Sequence, residues 1–245
     1  MDGTRIGIAR GVIAALIGKV LDDEGHGTTE MLFKGLQWAI GEGVDVVSMS
    51  IGFDFPGLVE RRVAAGWSAR QAASDALVAY RANLRLFDSL MGMVKARAAF
   101  NEGTVIVAAS GNESNRAKNI TIGVSIPAAA EGIVSVGALE QKGTRCDAAY
   151  FSNTLPIISA PGVGIKSAKA GGSLVEMSGT SMACPHVGGV AALWWEHLRS
   201  KDPKRKSSAA DVVHHMVASA RQNDVFAGEF SKLDFGAGLV SAPKA

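Results

Sequence analysis

Four short apolar runs rich in β-branched residues punctuate the chain, at Ile13–Val20, Val44–Met49, Thr104–Ala109 and Ile133–Val136. Each is continuous rather than alternating, the pattern of strands buried on both faces of a parallel sheet. Helical periodicity fills the intervals. Thr28 or Thr29 can cap a helix in which Met31, Leu32, Gly35, Leu36 and Ala39 follow the 3.6-residue period, ending near Gly41–Gly43 before the strand at Val44. Strand, helix and strand with short joints make a βαβ unit. Further on, Ala73, Leu77, Tyr80, Leu84, Phe87, Met91, Val94 and Ala98 step alternately by four and three. With Ser68 as cap and Gly103 as stop, they predict a helix over 69–101, roughly 50 Å long at 1.5 Å per residue. Arg81, Arg85, Lys95 and Arg97 occupy its other faces. A single apolar stripe fits a helix lying on its own sheet; the other use of such a stripe is pairing with a partner helix. Gly92 weakens the helix by about 1 kcal/mol relative to alanine. Gly111–Ser125 reads as polar loop. Lys201–Ser208 reads as charged loop before an amphipathic helix with Ala209, Val212, Val213, Met216 and Val217 inward. No repeat or linker divides the chain, which reads as one domain.

Composition narrows the picture without naming a function. The 245 residues fit one α/β domain, and 47% hydrophobic residues exclude disorder and fibrous classes. A net charge of +2 supplies no field that argues for nucleic acid or an anionic membrane. No apolar run reaches the roughly 18 residues of a membrane span. Arg5 and Arg10 before Gly11–Gly18 imitate a signal peptide, but the stretch is short, lacks an A-x-A site and meets Lys19. It reads instead as the first buried strand. Cys146 and Cys184 lie 38 positions apart, without metal-ligand spacing.

The strongest chemical signal is Met177-Ser178-Gly179-Thr180-Ser181-Met182-Ala183-Cys184-Pro185-His186-Val187-Gly188-Gly189. Here a serine among small residues opens an apolar helix, Ala183 to Trp195. A helix N-terminus offers an unpaired N–H and a positive dipole end where an oxyanion forms. Ser181 is therefore a candidate nucleophile, the other reading being a capping serine. Pro185 is expected within the first turn, where its missing N–H leaves no bond unmade. His186 lies five residues on, about 140° round the axis, too far round to serve as base, and reads as structural. A second site is Ala108-Ala109-Ser110-Gly111-Asn112, at the carboxyl end of a strand where ligands bind open parallel sheets. Asn112 can aim an amide N–H at an oxyanion; Asn after Gly is also ordinary turn chemistry.

Taken together, these elements resemble the subtilisin-like serine proteases, the subtilases (peptidase S8). In family order come Lys19-Val20-Leu21-Asp22-Asp23 with Gly25 and Gly27, Gly35-Leu36-Gln37-Trp38-Ala39, and Val46-Val47-Ser48-Met49-Ser50-Ile51-Gly52. Ala109-Ser110-Gly111-Asn112, Pro127-Ala128, Val134-Ser135-Val136-Gly137-Ala138, Phe151-Ser152-Asn153 and Ala160-Pro161-Gly162 follow. Gly179-Thr180-Ser181-Met182-Ala183-Cys184-Pro185-His186-Val187 matches the serine signature, and Gly236-Ala237-Gly238-Leu239-Val240 the closing segment. The resemblance implies a three-layer α/β fold with a mostly parallel central sheet flanked by helices, lacking its N-terminal portion. It implies one partial catalytic domain over 1–245, with a helical insertion at about 53–103. Ser181 is then the nucleophile, and Asn112 with the Ser181 N–H the oxyanion hole. Ser50, Ile51 and Gly52 with Ala109, Ser110 and Gly111 are expected to line the pocket for the side chain before the cleaved bond. Gly25, His26 and Gly27 are expected to form an edge that pairs with a polypeptide substrate.

The departure from the family is as informative. Its aspartate motif, Asp-Ser/Thr-Gly, and its histidine motif, His-Gly-Thr-His, belong ahead of the matched segment, in the order Asp, His, Ser. Asp2-Gly3-Thr4 has the first composition in the wrong order; His26-Gly27-Thr28 imitates the second, but Thr29 replaces the next histidine. Loss of a whole triad costs about 10⁶ in kcat in a subtilisin. The chain alone is therefore expected to be inactive, Asp and His belonging to a missing segment or a second chain. Pairing through helix 69–101 is the alternative use of that helix, and a non-catalytic peptide-binding module the alternative function. Calcium is common in the family, but scattered Asp and Asn residues give no loop of ligand spacing and no metal or other cofactor is assigned. An α/β-hydrolase esterase would use Ser181, Asp202 or Asp211, and His214 or His215, and requires Ser181 on a strand-to-helix elbow.

Overall fold

The computed structural model describes residues 7–98, 101–201, 206–222 and 224–244. Its centre is a five-stranded sheet built from β1 (Val46–Met49), β2 (Val105–Ala109), β3 (Val134–Lys142), β4 (Arg145–Ala148) and β5 (Ile158–Pro161). β1, β2, β3 and β5 run parallel, with Val46 opposite Val105, Val107 opposite Val134 and Val136 opposite Ile158. Only β4 is antiparallel, hairpinned onto the end of β3. Successive side chains point to opposite faces, and both faces are covered. Val105, Val107 and Ala109 join a core under α4 (Thr180–Lys201) and α5 (Ala209–Ala218). Ile106 and Ala108 join a second core under α1 (Thr29–Gly41) and α3 (Ala69–Ala98). Helices, sheet and helices make the expected three layers.

Helix signals place the flanks. Thr28 caps α1 by accepting from the Met31 N–H, and Ser208 and Asp211 form a capping box on α5. α3 lies on its own sheet through Phe87, Leu90 and Met91. Its N-terminal half turns differently from the predicted stripe: Ala72 and Ala76 are buried, whereas Ala73 and Leu77 are exposed. The cause is α2 (Phe55–Ala64), which packs against that half and draws a different face inward, with Arg62 paired to Asp75. This helix was not foreseen, although Asp54 at its N-cap and Pro56 in its first turn are start signals.

The first apolar run departs most from expectation. Residues 11–20 form no strand and are largely exposed, Ile13 fully so and Ile17 at 87%. A strand requires a neighbour to take its backbone bonds, and among the described residues no strand lies beside this one. Its end packs on α1, Val20 against Gly35 and Gly18 against the Trp38 ring. Asp2-Gly3-Thr4 and Asp202 lie outside the described residues. No helix among the described residues is long and apolar enough to cross a membrane.

Candidate active site

A small antiparallel hairpin, β6 (Ile165–Ala168) and β7 (Leu174–Met177), delivers the chain to α4. Its exit is fixed from the β5 side: the Gly179 N–H donates to the Gly162 carbonyl at 2.8 Å, and the Ser178 hydroxyl accepts from the Gly164 N–H. A Cβ on Gly162 would sit 2.5 Å from the Ala138 Cβ and 2.9 Å from the Gly179 oxygen, so glycine permits this approach. The helix then begins at Thr180 rather than Ala183 and runs to Lys201. Small residues let it lie close on the sheet, with Gly188 over Ser48 and Cys184 buried against the Met49 carbonyl and the Ser48 hydroxyl. Burial pushes the Cys184 thiol up to about 11, so it is a packing group and not a nucleophile at neutral pH. At the far end the Trp195 indole donates to the Asp45 carbonyl, and Arg199 bridges Asp45 and Glu102 over the Trp195 ring.

Ser181 therefore stands in the first turn of α4, half-buried, with an N–H that no group among the described residues accepts. Asn112 is brought to the same helix end. Its Oδ1 accepts from the Thr180 N–H at 2.8 Å and from the Thr180 hydroxyl at 2.9 Å. Because a backbone N–H can only donate, the amide is oriented unambiguously, and its NH2 is left to point away from Thr180. The Thr180 hydroxyl in turn accepts from the Gly111 N–H. Two amide-type donors without partners, one on Asn112 and one on the backbone of Ser181, thus share one helix terminus.

The loop bearing Asn112 is held by a residue the sequence reading assigned no role. Asn153 is fully buried; its Oδ1 accepts from the N–H groups of Glu113 and Ser114. Its NH2 donates to the carbonyls of Ser110 and Gly123 and to the Glu113 carboxylate. Gly111, at φ 110°, has no room for a side chain, since a Cβ would sit 2.4 Å from both the Asn153 Nδ2 and the Glu113 Oε2. Ser110 is fully buried and Ala109 lies in the core beneath α4. Ser125 also went unnoticed. Its hydroxyl, like that of Ser110, is buried without a partner, and it lies 2.9 Å from the Cβ position of Gly52 and 3.1 Å from that of Gly111.

Ser50 is joined to Ser181 directly, its hydroxyl donating to the Ser181 carbonyl at 2.8 Å. This corrects the expectation for Pro185. With the helix starting at Thr180, residue 185 is the one whose N–H would bond the Ser181 carbonyl, so proline does leave a bond unmade there. Ser50 supplies it from β1's end. Ile51 and Gly52 meet Gly27 around a small cavity of about 80 Å³, which Gly25 and His26 do not line. The His26 N–H donates to Asp22 in an exposed loop.

No histidine is hydrogen-bonded to the Ser181 hydroxyl among the described residues. His186 Nδ1 pairs with the Met182 carbonyl at 2.8 Å, consistent with a structural role. His197 and His215 surround Trp194, with His214 alongside, roughly 20 Å along α4 from Ser181 at 1.5 Å per residue. The esterase reading fails on this geometry, because its histidines sit at the wrong end of the helix. Among the described residues no group of three or more His, Cys, Asp or Glu side chains is arranged to hold a metal.

Comparison with known proteins bears on the family and the fold. The model of the subtilase family matches residues 3–238. Over 175 residues the chain is 33% identical to the thermostable alkaline protease of Halalkalibacterium halodurans, covering 71% of this chain and 38% of that protein. It is 30% identical over 218 residues to subtilisin DY of Bacillus licheniformis, covering 89% and 64%. Among solved structures, a variant of the protease domain of PatA aligns with TM-score 0.57 at 25% identity, covering 91% of this chain and 66% of that one. A lanthipeptide protease aligns with TM-score 0.61 at 22% identity over the same shares, a likeness of fold. The chain spans 38% and 64% of the length of the two curated relatives.

Proposed function

The chain belongs to the subtilase family, and on that premise we propose that it carries the nucleophile half of a serine endopeptidase site acting on polypeptides. Ser181 attacks the scissile carbonyl carbon. The resulting oxyanion accepts hydrogen bonds from the Asn112 amide and the Ser181 N–H, and collapse of the intermediate expels the amine and leaves an acyl-serine for water to hydrolyse. The observation that supports this most is the double grip of Thr180 on the Asn112 Oδ1, which turns the amide NH2 outward at the end of α4. Donors fixed before the reaction stabilise developing charge without reorganising; removing one costs about 10²–10³ in kcat, a magnitude known from a subtilisin. Gly25, His26 and Gly27 take the substrate backbone as an added strand. Ser50, Ile51, Gly52 and the backbone of Ala109, Ser110 and Gly111 receive the side chain before the cleaved bond. The α2–α3 hairpin is the family's connection lengthened by an insertion.

Both proton-transfer steps need a base that takes the serine proton and returns it to the leaving amine. With His186 on the Met182 carbonyl and three histidines around Trp194, this base and its orienting acid come from a polypeptide segment outside the site described. Hydrolysis of an N-acyl peptide p-nitroanilide tests this. The chain alone should match its Ser181→Ala variant, within about threefold of background; turnover that Ser181→Ala abolishes would contradict the missing base. A peptide-binding module without turnover has no separate observation in its favour.

A further inference from the structure

Far from Ser181, the C-terminal half of α4, the Asp211 and His215 face of α5, and Ser241, Ala242 and Lys244 line a cleft of about 770 Å³. This is well within the range of ~300–1,000 Å³ that small-molecule sites occupy. Its walls are of two kinds. One is apolar and aromatic: Trp194 and Leu198 from α4, with the His215 ring stacked on Trp194 at 5.2 Å and 12° between planes, and His197 set edge-on. The stack is rigid, because the Trp194 indole also donates to the Ser241 carbonyl at 3.0 Å. The other is cationic. Lys201, Arg221 and Lys244 all line the cleft, and none of the three has a carboxylate within salt-bridge distance or a side-chain hydrogen bond among the described residues.

What sets the cleft apart is that three unpaired cations share one concavity, whereas the unpaired Arg81, Arg85, Lys95 and Lys169 stand apart on exposed surface. Elsewhere Lys19, Lys34, Arg61, Arg62, Arg116, Lys142 and Arg199 each stand against an acid. Among the described residues the acid that lines the cleft is Asp211, which holds the α5 capping box, its Oδ2 accepting from both the N–H and the hydroxyl of Ser208. Three positive groups around one concavity repel each other unless an anion sits between them. A bare inorganic anion would satisfy them but leave the half-buried wall of His197, Leu198 and His215 uncovered. We propose that the cleft binds an amphipathic organic anion, a carboxylate, sulfonate or phosphate on an aromatic or aliphatic body. The charged group faces Lys201, Arg221 and Lys244, and the body lies along Leu198 and the His197 and His215 rings that cover Trp194. This site is separate from Ser181 and does not depend on how that serine works.

The probe is 8-anilinonaphthalene-1-sulfonate, an aromatic anion, titrated against the full chain by its emission. Its uncharged analogue N-phenyl-1-naphthylamine is the comparison. The parent chain should bind the sulfonate at one site, with affinity falling as salt rises because screening acts on the charged contacts. Lys201→Gln with Arg221→Gln should weaken the sulfonate by at least ~10-fold, the scale of losing two charge-assisted hydrogen bonds. The uncharged analogue should change less than about twofold in that variant. Lys95→Gln, on the exposed face of α3, should change neither. The proposal is overturned if the double variant keeps sulfonate affinity within about twofold, or if both probes respond alike to salt and to the substitutions. Should the double variant not fold, the salt dependence of the parent and each single substitution still decide between these outcomes.

Discussion

Ser50→Ala tests how the first turn of the serine helix is held. Pro185 is the sixth residue of α4 and has no N–H, so the Ser181 carbonyl loses its helical partner and takes the Ser50 hydroxyl at 2.8 Å instead. Removing that hydroxyl orphans the carbonyl. A buried orphan costs about 1–3 kcal/mol. Ser50 is exposed and Ser181 half-buried, so water repays part of the loss and a cost of about 1 kcal/mol is expected. Pro185→Ala restores the N–H, and in that background Ser50→Ala should cost less than about 0.3 kcal/mol. The coupling between the two substitutions is then roughly 0.7–1 kcal/mol, read from a double-mutant cycle of urea midpoints at constant slope. Equal costs of Ser50→Ala in both backgrounds would refute the reasoning, because the hydroxyl would then not be replacing the bond that proline removes.

Further outcomes follow from other parts of the core. Asn153→Ala orphans the half-buried Glu113 N–H and the buried Ser114 N–H together, while the Ser110 carbonyl keeps the Ser125 N–H, and calorimetry should show a loss of roughly 2–4 kcal/mol. Asn153→Asp should not rescue it, since it keeps the acceptor but sets a carboxylate against Glu113. The Cys184 thiol ionises near 9 when unfolded and is pushed up to about 11 by burial. The folded chain thus holds a proton that the unfolded chain releases. Its stabilising effect is complete below pH 9 and is lost between pH 9 and 11, on the order of 2–3 kcal/mol. Urea titrations across that range should show the decline, and Cys184→Ala should flatten it. Arg199→Ala, which breaks a partly exposed network with Asp45, Glu102 and the Trp195 ring, should cost only about 1 kcal/mol, less in high salt.

Much of the scaffold was legible because burial on both faces writes a continuous apolar strand. β1 and β2 lie within the runs that begin at Val44 and Thr104, β3 begins in the run Ile133–Val136 and continues past it to Lys142, and Thr28 was readable as a cap. Ile13–Val20 carried the same signal and yet forms no strand, because composition states what a segment is able to pair with and not whether a neighbour is present. The stripe on α3 went out of register for a related reason: periodicity chooses a face, but α2 decides which part of it is covered. At the candidate site, Ser181 and Asn112 were readable as candidates from their small neighbours. Thr180, Asn153 and Ser125 were not, since their roles are contacts across 68, 39 to 43 and roughly 70 positions that only the fold creates. The Ser50 bond is of the same kind: Pro185 announces a missing donor, but nothing in the chain says which hydroxyl answers it.

The central claim is that Ser181 and its oxyanion donors are assembled while the base is not. Labelling of the isolated chain by a fluorophosphonate, followed by mass spectrometry at Ser181 with and without added imidazole, tests it most directly. A prepared oxyanion site awaiting a base predicts slow labelling alone and acceleration of at least ~10-fold by imidazole. The acceleration should vanish in Ser181→Ala and fall sharply in Asn112→Ala. Fast labelling without imidazole would contradict the absent base, and no labelling under either condition would contradict the nucleophile itself.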